Sequence, residues 1–436
     1  MTTLAPERRL APHAVDLAVP LRTAIAALVL SCLLVSFQPF VVTFEAKTPD
    51  AGSPVNQLGY GLLMLAGILS HLTLTPPALL RRMAHPVWLL MGFWLVFASF
   101  HSPWPDVSLR AVAFTLAAMI AATAVFVLPP DAGAFRVALA TAVLAVLGLS
   151  YAGIVLLPSA AIHQAGELES IHAGLWRGIY SHKNVAGPVM ACLCYAGFYL
   201  FRCGWRGIGG AIALLSAFFV LETGSKTTLA LLPAVALLVL GARRMGRVPA
   251  VLLLALALSA MAAFTLGTVL SPALYAVQQW VLPGTTLTGR LDLWRFALQA
   301  LAGHEWLGMG FDSFWTTPAV AAAEVPLGSS WDPRGIVNAH SGYLDLVIAM
   351  GWPGLVFGLL LIVALPLRDF TRARADDEAR RLADLFLMVL AFTLLNAFVE
   401  SFLFARNAPV WMLLWLSVAG LRFLTRQPQV ESSIRT

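Results

Sequence analysis

The residues best suited to chemistry lie in the one long polar segment of this sequence, residues 271–340. Arg290 stands in the first turn of a predicted helix, and His340 stands where the next apolar run begins. A helix start attracts phosphate, and arginine adds a bidentate partner that is always charged. Histidine can exchange a proton near neutral pH or hydrogen-bond a sugar hydroxyl. The alternatives are an arginine that snorkels at a membrane interface and a histidine that packs against a helix end.

Further residues outside this pair could carry function. Arg177 and Lys183 stand near the start of a predicted helix that Asn184 opens, and they form either a diphosphate cradle or a solvated loop. Lys226 lies in a stretch that faintly resembles a phosphate loop, but the first glycine and the Gly-Lys pair are missing. We therefore exclude ATP binding and keep Lys226 as a source of positive charge. Asp345 lies inside an apolar run, where a carboxylate is costly unless it is paired or functional.

The spacing of metal-ligating residue types predicts no metal site. No His, Cys, Asp or Glu spacing suggests zinc, and no paired carboxylates suggest a metal-dependent transferase. The four cysteines lie in predicted helices or at a helix end, so we expect no disulfide framework. We expect no cofactor.

The elements that must position these residues are membrane helices. Residues are 59% hydrophobic and 11% charged, with a mean hydropathy of +0.81, whereas soluble domains carry about 25% charge. Apolar runs of roughly 17–25 residues recur, long enough to cross a hydrocarbon core about 30 Å thick. The runs are 21–43, 57–75, 86–101, 107–128, 135–157, 184–202, 207–222, 226–242, 248–271, 341–367, 382–399 and 404–424. The predicted fold is an all-α polytopic membrane protein with about 12 transmembrane helices.

The arginines orient this predicted bundle. Every short connection on one side is basic, so the positive-inside rule places that side, and both termini, in the cytoplasm. The net charge of +6 is explained by this topology, and we infer no nucleic-acid partner from it. The three lysines and several arginines fall on the outer side instead, which suggests an anionic ligand at the outer membrane face.

The long polar segment divides the predicted chain. The divisions are a cytoplasmic tail (1–20), nine transmembrane helices (21–271), a periplasmic catalytic loop (272–340), three transmembrane helices (341–424) and a second cytoplasmic tail (425–436). Within the loop, residues 287–303 have helical periodicity, with Thr288 as N-cap and Gly303 at the end. The helix is amphipathic and should lie on the membrane or over a cavity mouth.

Four motifs together resemble the O-antigen ligase/polymerase superfamily, and their residue pattern favours its ExoQ-like exopolysaccharide-polymerase branch. The motifs are residues 176–184, 223–228, 287–294 with 308–310, and 339–344, in the order of the family. The resemblance implies a GT-C-like fold in the bacterial inner membrane. Two departures concern acceptor recognition: Ser341 stands where the family often has Asn, and a downstream acid is missing at Ala349 and Met350.

The resemblance also implies roles for individual residues. It makes His340 and Arg290 catalytic, and it makes Arg177, Lys183, Arg290 and Lys226 binders of the substrate diphosphate. Asp345, Tyr343, Asn184 and Arg406 would recognise the acceptor or support the site. The lipid carrier of the substrate would be undecaprenyl diphosphate. The implied partners are a lipid-linked oligosaccharide or polysaccharide, membrane lipids, and polysaccharide-export and chain-length proteins.

The implied reaction is inverting glycan transfer at the periplasmic face, without metal or ATP. Polymerisation of exopolysaccharide or O-antigen repeat units is the leading interpretation. The alternative within the same class is a ligase that transfers finished polymer to lipid A–core. The alternative of another class is a transporter of lipid-linked oligosaccharide, which predicts ionisable residues deep in the bundle. Apart from Asp345, and Asp384 near an inner end, the predicted helices contain almost none.

Overall fold

The structure, a computed structural model, describes residues 18–41, 53–167, 170–242, 244–287, 289–315, 317–323, 332, 334, 336–405 and 408–426. Within these ranges the chain is helical and forms no strand, with one isolated bridge between Ile162 and Trp176. Two residues with predicted roles, Thr288 and Arg406, lie outside the described residues.

The helices follow the predicted apolar runs. The first half of the chain contains α1 (Ala18–Val35), α2 (Pro54–Leu74), α3 (Pro77–Met83), α4 (Pro86–Phe100), α5 (Pro105–Val127), α6 (Ala132–Leu156), α7 (Pro158–Ala161), α8 (Lys183–Arg202), α9 (Arg206–Glu222) and α10 (Lys226–Ala242). The second half contains α11 (Arg247–Phe264), α12 (Gly267–Leu270), α13 (Pro272–Val281), α14 (Arg290–Ala300), α15 (Pro318–Ala321), α16 (Gly342–Leu359), α17 (Leu365–Arg372), α18 (Asp377–Asn396) and α19 (Pro409–Arg426). A π-helical turn, Leu360–Ala364, joins α16 to α17.

Six of the described helical stretches are long and apolar enough to cross a membrane. They are α2, α5, α6, α8, α11 and the continuous stretch Gly342–Arg372, while α1, α4, α10 and α19 are apolar but shorter. This architecture agrees with a polytopic membrane protein. Twelve crossings, the outer position of the long segment and the cytoplasmic location of the termini remain predictions.

Helix α18 forms the centre of the bundle. All its residues from Asp384 to Asn396 are buried, and it packs against α8, α10 and α19. Apolar residues on every side of a helix indicate that it is enclosed by protein or lipid rather than water. Its final turn leads directly into residues 397–405, so whatever these residues carry is held by the core.

The first turns of α18 carry charged contacts that tie several helices together. Glu378 accepts hydrogen bonds from Tyr199 Oη at 2.6 Å and from Arg136 Nη1 at 3.2 Å. Asp384 pairs with Arg202 Nη1 at 2.8 Å. These arginines belong to the set that the positive-inside rule places at the inner face. The opposite end of α18 leads toward the long polar segment.

Helix α16 is interrupted at Gly351, and the chain that follows α14 makes backbone hydrogen bonds to α16 around the interruption. Gly351 has φ 69°, a left-handed conformation that favours glycine. The N–H of Trp352 donates to the carbonyl of Glu305, and the N–H of Met309 donates to the carbonyl of Ile348. Gly308 has φ 73°, and a Cβ there would stand 2.5 Å from the Ala349 carbonyl carbon. The predicted 308–310 motif is therefore a docking point for the long segment.

Candidate active site

The predicted amphipathic helix is present as α14, three residues shorter at each end than the periodicity indicated. It follows Gly289, whose φ of 79° turns the chain so that Arg290 becomes the first helical residue. Leu291, Trp294 and Ala297 are buried in one apolar cluster with residues of α16. The apolar face of α14 therefore packs on the protein and covers the first turns of α16.

A hydrogen bond connects α14 to the residue before His340. Trp294 is fully buried, and its Nε1–H donates to the carbonyl oxygen of Ala339 at 2.8 Å. A buried carbonyl that lost this donor would cost about 1–3 kcal/mol. The distance between the start of α14 and His340 is therefore set by a specific contact as well as by apolar packing.

Asp345 holds the turn that presents His340. Its carboxylate accepts hydrogen bonds from the Ala339 N–H at 3.1 Å and from Trp315 Nε1 at 2.8 Å. The carboxylate reaches back from the first turn of α16 in the manner of a helix cap. Asp345 thus has local partners, and in the structure it supports the histidine turn.

His340 has a backbone conformation that is rare for a residue with a side chain. Its φ is 48°, in the left-handed region, and its N–H donates to Asn338 Oδ1 at 3.0 Å. The following N–H groups are also paired, Ser341 with Ser401 Oγ and Gly342 with the Ala397 carbonyl. Such conformations persist only where the surroundings impose them, and they cluster at functional sites.

Glu400 joins the two leading candidates. Its carboxylate lies 3.2 Å from Arg290 Nη2 through Oε1 and 3.6 Å from His340 Nδ1 through Oε2. The side chains of Arg290, Glu400 and His340 are 16%, 17% and 25% exposed, so the cluster is open enough for a ligand. The Nε–H of Arg290 is buried and makes no hydrogen bond to the described residues. This buried donor is therefore left unsatisfied among the described residues.

Tyr343 supports the same region from the protein side. Its side chain is buried, and its hydroxyl donates to the Leu394 carbonyl at 2.9 Å. The bond ties the first turn of α16 to the last turn of α18, which leads to Glu400. Direct contact between Tyr343 and an acceptor sugar remains a prediction.

A second cluster surrounds Arg177, which is fully buried. Its Nη2 lies 2.7 Å from Glu167 Oε1, its Nη1 lies 3.0 Å from Glu167 Oε2, and its Nε donates to the Ala160 carbonyl. Burial would raise the pKa of Glu167, but hydrogen bonds from Arg177 and His163 outweigh it and hold that pKa below its ordinary value. The Arg177 guanidinium thus has an internal counterion, and its contact with a substrate diphosphate remains a prediction.

Lys183 and Asn184 begin α8 next to a group of histidines. The Lys183 N–H donates to His163 Nε2 at 3.2 Å, and the Asn184 N–H donates to His182 Nδ1 at 3.1 Å. Lys183 is buried and Asn184 is half-buried. Three imidazole rings, those of His163, His172 and His182, lie with centroids 4.9–5.8 Å apart.

Lys226 is exposed at the start of α10, and the backbone just before it contacts the second cluster. The Glu222 carbonyl accepts from the Trp176 N–H at 3.1 Å. The 223–228 loop also packs on Gly187 of α8, where a Cβ would stand 3.2 Å from Ser225 Cβ. The structure therefore brings together the 176–184 and 223–228 motifs.

The motifs thus form two groups. Residues 287–294, 308–310 and 339–344 meet around Arg290, Glu400 and His340, and residues 176–184 and 223–228 meet around Arg177. The expectation that Arg177 and Lys183 face Arg290 remains a prediction.

Three residues of these clusters were missed by the sequence reasoning. Glu400 is an acid between two apolar runs at their predicted outer ends, and its position alone could have marked it. His163 and Glu167 stand four residues apart in the loop before Arg177, and His163 Nδ1 lies 2.9 Å from Glu167 Oε2. The charge pattern on the predicted outer side draws attention to cations, although acids position them.

Two comparisons with known proteins agree with the motifs. Residues 211–359 match the family model described as Wzy_C, O-antigen ligase. The exopolysaccharide production protein ExoQ of Rhizobium meliloti (strain 1021) is 27% identical over 238 residues, which cover 51% of this chain and 53% of the relative. The chain thus spans about half the length of the curated relative that it matches. The resemblance to the O-antigen ligase and ExoQ-like family is confirmed.

Proposed function

We propose, on the premise that this chain is a relative of the O-antigen ligases and ExoQ, that it polymerises lipid-linked glycan repeat units. The donor would be a glycan on undecaprenyl diphosphate, and the acceptor would be a sugar hydroxyl of a second lipid-linked glycan. The reaction would take place at the periplasmic face of the inner membrane. Because the donor carries its own diphosphate leaving group, no nucleotide sugar or ATP is needed outside the cell.

The arrangement of Arg290, Glu400 and His340 carries this proposal. A half-buried arginine suits a diphosphate, and a histidine whose Nδ1 lies 3.6 Å from a carboxylate suits a hydroxyl proton. The family match covers Arg290 and His340 but ends before Glu400. The position of Glu400 therefore supports the proposal independently of the matched segment.

The proposed step is a single displacement. The acceptor oxygen attacks the anomeric carbon of the donor while the bond from that carbon to the diphosphate oxygen breaks. The diphosphate leaves with the electron pair, and the hydroxyl proton passes to His340. A single displacement inverts the anomeric carbon, and His340 then returns the proton to solvent.

Arg290 would stabilise the leaving group. Negative charge grows on the diphosphate as the bond breaks, and a fixed guanidinium in a partly water-excluded site stabilises that charge strongly. Glu400 would act as a positioning residue, because it holds both Arg290 and His340 and touches no reacting atom in this scheme. Arginine would supply the charge that a metal supplies in other transferases, so the proposed reaction is metal-independent.

The test uses purified full-length protein and a defined undecaprenyl-diphosphate oligosaccharide as both donor and acceptor. We expect chain growth with the wild type and a loss of roughly 10²–10⁴-fold with His340→Ala or Arg290→Ala. Arg295→Ala is the matched control, because Arg295 lies on the same helix but is exposed and pairs with Asp292.

Each outcome of this test decides between functions. Product that forms only after lipid A–core is added would identify a ligase and reject the polymerase. Full activity in both His340→Ala and Arg290→Ala would reject the proposed site. Uptake of the lipid-linked glycan into vesicles without a new glycosidic bond would identify a transporter.

A further inference from the structure

The end of α18 that is remote from Glu400 contains a second concentration of charge, which the proposed reaction does not use. Asp384 is buried at 5% exposure and pairs with Arg202 at 2.8 Å. Arg380 lies one turn earlier, and Arg247 at the start of α11 faces the same carboxylate. From Arg380 to Asn396 the helix rises about 24 Å, so this region lies far from the candidate active site.

A cavity of about 150 Å³ opens among these groups. Arg247, Arg380 and Asp384 supply its polar lining, and Val239, Ala250 and Phe370 are among its apolar walls. A water molecule occupies roughly 30 Å³ in the liquid, so the cavity has room for several waters or for one phosphate group.

The charge around this cavity is unbalanced toward positive. Arg247 donates to the backbone carbonyls of Ala373 and Arg374, which orient its guanidinium but do not neutralise it. Three arginines therefore surround the single buried carboxylate of Asp384. Arg380 pairs with the exposed Asp377 at 2.9 Å. Positive charge held near a low-dielectric region is stabilised by an anion with oxygen acceptors.

We infer that this cavity binds a phosphate group through Arg247 and Arg380. A basic pocket between helix ends is the setting in which membrane proteins hold the phosphate of anionic lipid head groups. Inorganic phosphate has the same chemistry and is the other source. The inference does not depend on the proposed glycan transfer, because the cavity shares no residue with the candidate active site.

The test measures binding to purified, delipidated full-length protein by native mass spectrometry. The ligands are phosphatidylglycerol, phosphatidylcholine and inorganic phosphate. The key variant is Arg380→Gln, because Arg380 is exposed and its loss should leave the fold intact. Arg372→Gln is the control, since Arg372 is an exposed arginine at the end of α17 that does not line the cavity. Equal melting temperatures of the unliganded variants would verify their folding.

We expect phosphatidylglycerol to bind more tightly than phosphatidylcholine, and Arg380→Gln to weaken it roughly fivefold, as expected for one arginine near a lipid surface. Arg372→Gln should weaken it less than twofold. Binding of inorganic phosphate that Arg380→Gln weakens to the same extent would assign the site to the free anion. Absence of binding by both phosphate sources, or equal weakening by the two variants, would overturn the inference.

Discussion

At the scale of single residues, the candidate chemistry depends on how one carboxylate is shared. Glu400 contacts Arg290 through one oxygen and approaches His340 with the other. Neither contact requires Glu400 to touch a substrate. Its role would be to hold the phosphate-binding and proton-accepting groups at a fixed separation, and small errors in such a separation reduce rates strongly.

The first prediction concerns this positioning role. Glu400→Gln preserves the size of the side chain but removes its charge, so Arg290 and His340 lose their common anion. We expect kcat for chain growth to fall roughly tenfold to a hundredfold, less than for His340→Ala, because the reacting groups remain. Glu400→Asp should restore part of the rate.

The matched control is Asp292→Asn, which removes an exposed carboxylate from α14, the helix that Arg290 begins. We expect its kcat to stay within twofold of the wild type. If Glu400→Gln also stayed within twofold, the positioning role of Glu400 would be wrong.

At the scale of elements, two contacts fix the long segment to the bundle. Trp294 joins α14 to the His340 turn, and residues 308–310 dock at the interruption of α16. The segment is therefore a structured cover over the first turns of α16. Substitutions at the docking point should separate backbone strain from steric collision.

The second prediction compares two glycines with positive φ. Gly303 has φ 84° and open space around the position of a Cβ, whereas at Gly308 a Cβ would collide with the α16 backbone. We expect Gly303→Ala to destabilise by about 1 kcal/mol through strain alone, and Gly308→Ala by about 1–3 kcal/mol more. Thermal unfolding of the purified proteins measures both, and equal melting temperatures would contradict the docking.

A third contact between elements involves His163, and it should make the stability of the 157–183 loop depend on pH. Burial lowers the pKa of His163 below its ordinary value, and the neighbouring charges of His182 and Arg177 act in the same direction, while Glu167 opposes them. The Nε2 of His163 accepts from the Lys183 N–H, so a proton added there would break that hydrogen bond.

The third prediction follows from the sign of this shift. Because the folded pKa lies below the unfolded value of about 6.5, the stabilisation is present above that pH and is lost as the pH falls through the folded pKa. We expect the melting temperature to fall between pH 7.5 and pH 5, and His163→Gln to flatten that fall. His304→Gln, at an exposed site, should leave the pH dependence unchanged; the same flattening there would reject the mechanism.

At the scale of the whole molecule, the two ends of the bundle differ in their charge contacts. Arginines meet Glu378, Asp384 and the cavity at one end, while Arg290, His340 and Glu400 lie beyond the other end of α18. The positive-inside rule predicts that the first end faces the cytoplasm.

The fourth prediction tests this orientation in cells. In a background without the four native cysteines, Lys226→Cys should react with a membrane-impermeant maleimide added outside, and Arg372→Cys should react only after the membrane is opened. Both side chains are exposed, so accessibility depends on the side of the membrane. The reverse labelling pattern would contradict the predicted topology.

Much of the element pattern was predictable from local sequence. Each of the twelve apolar runs contains a helix, because a membrane helix needs an uninterrupted apolar stretch that composition reveals directly. The α14 helix was predictable for a similar reason, since its apolar residues recur at helical spacing. The interruption at Gly351 was not predicted, because the local sequence Met350-Gly351-Trp352-Pro353 does not show which distant carbonyl will accept a hydrogen bond there.

The sequence by itself predicted a helical membrane protein that resembles the O-antigen ligases and ExoQ, with Arg290 and His340 as its leading candidate site residues. Hydropathy and short motifs are local properties, so they can be recognised from the sequence without a structure. The tertiary structure alone decided that Glu400 stands between these two residues and that Glu167 neutralises Arg177. Glu400 lies 110 positions after Arg290, and a contact across such a separation arises only when packed helices bring their ends together.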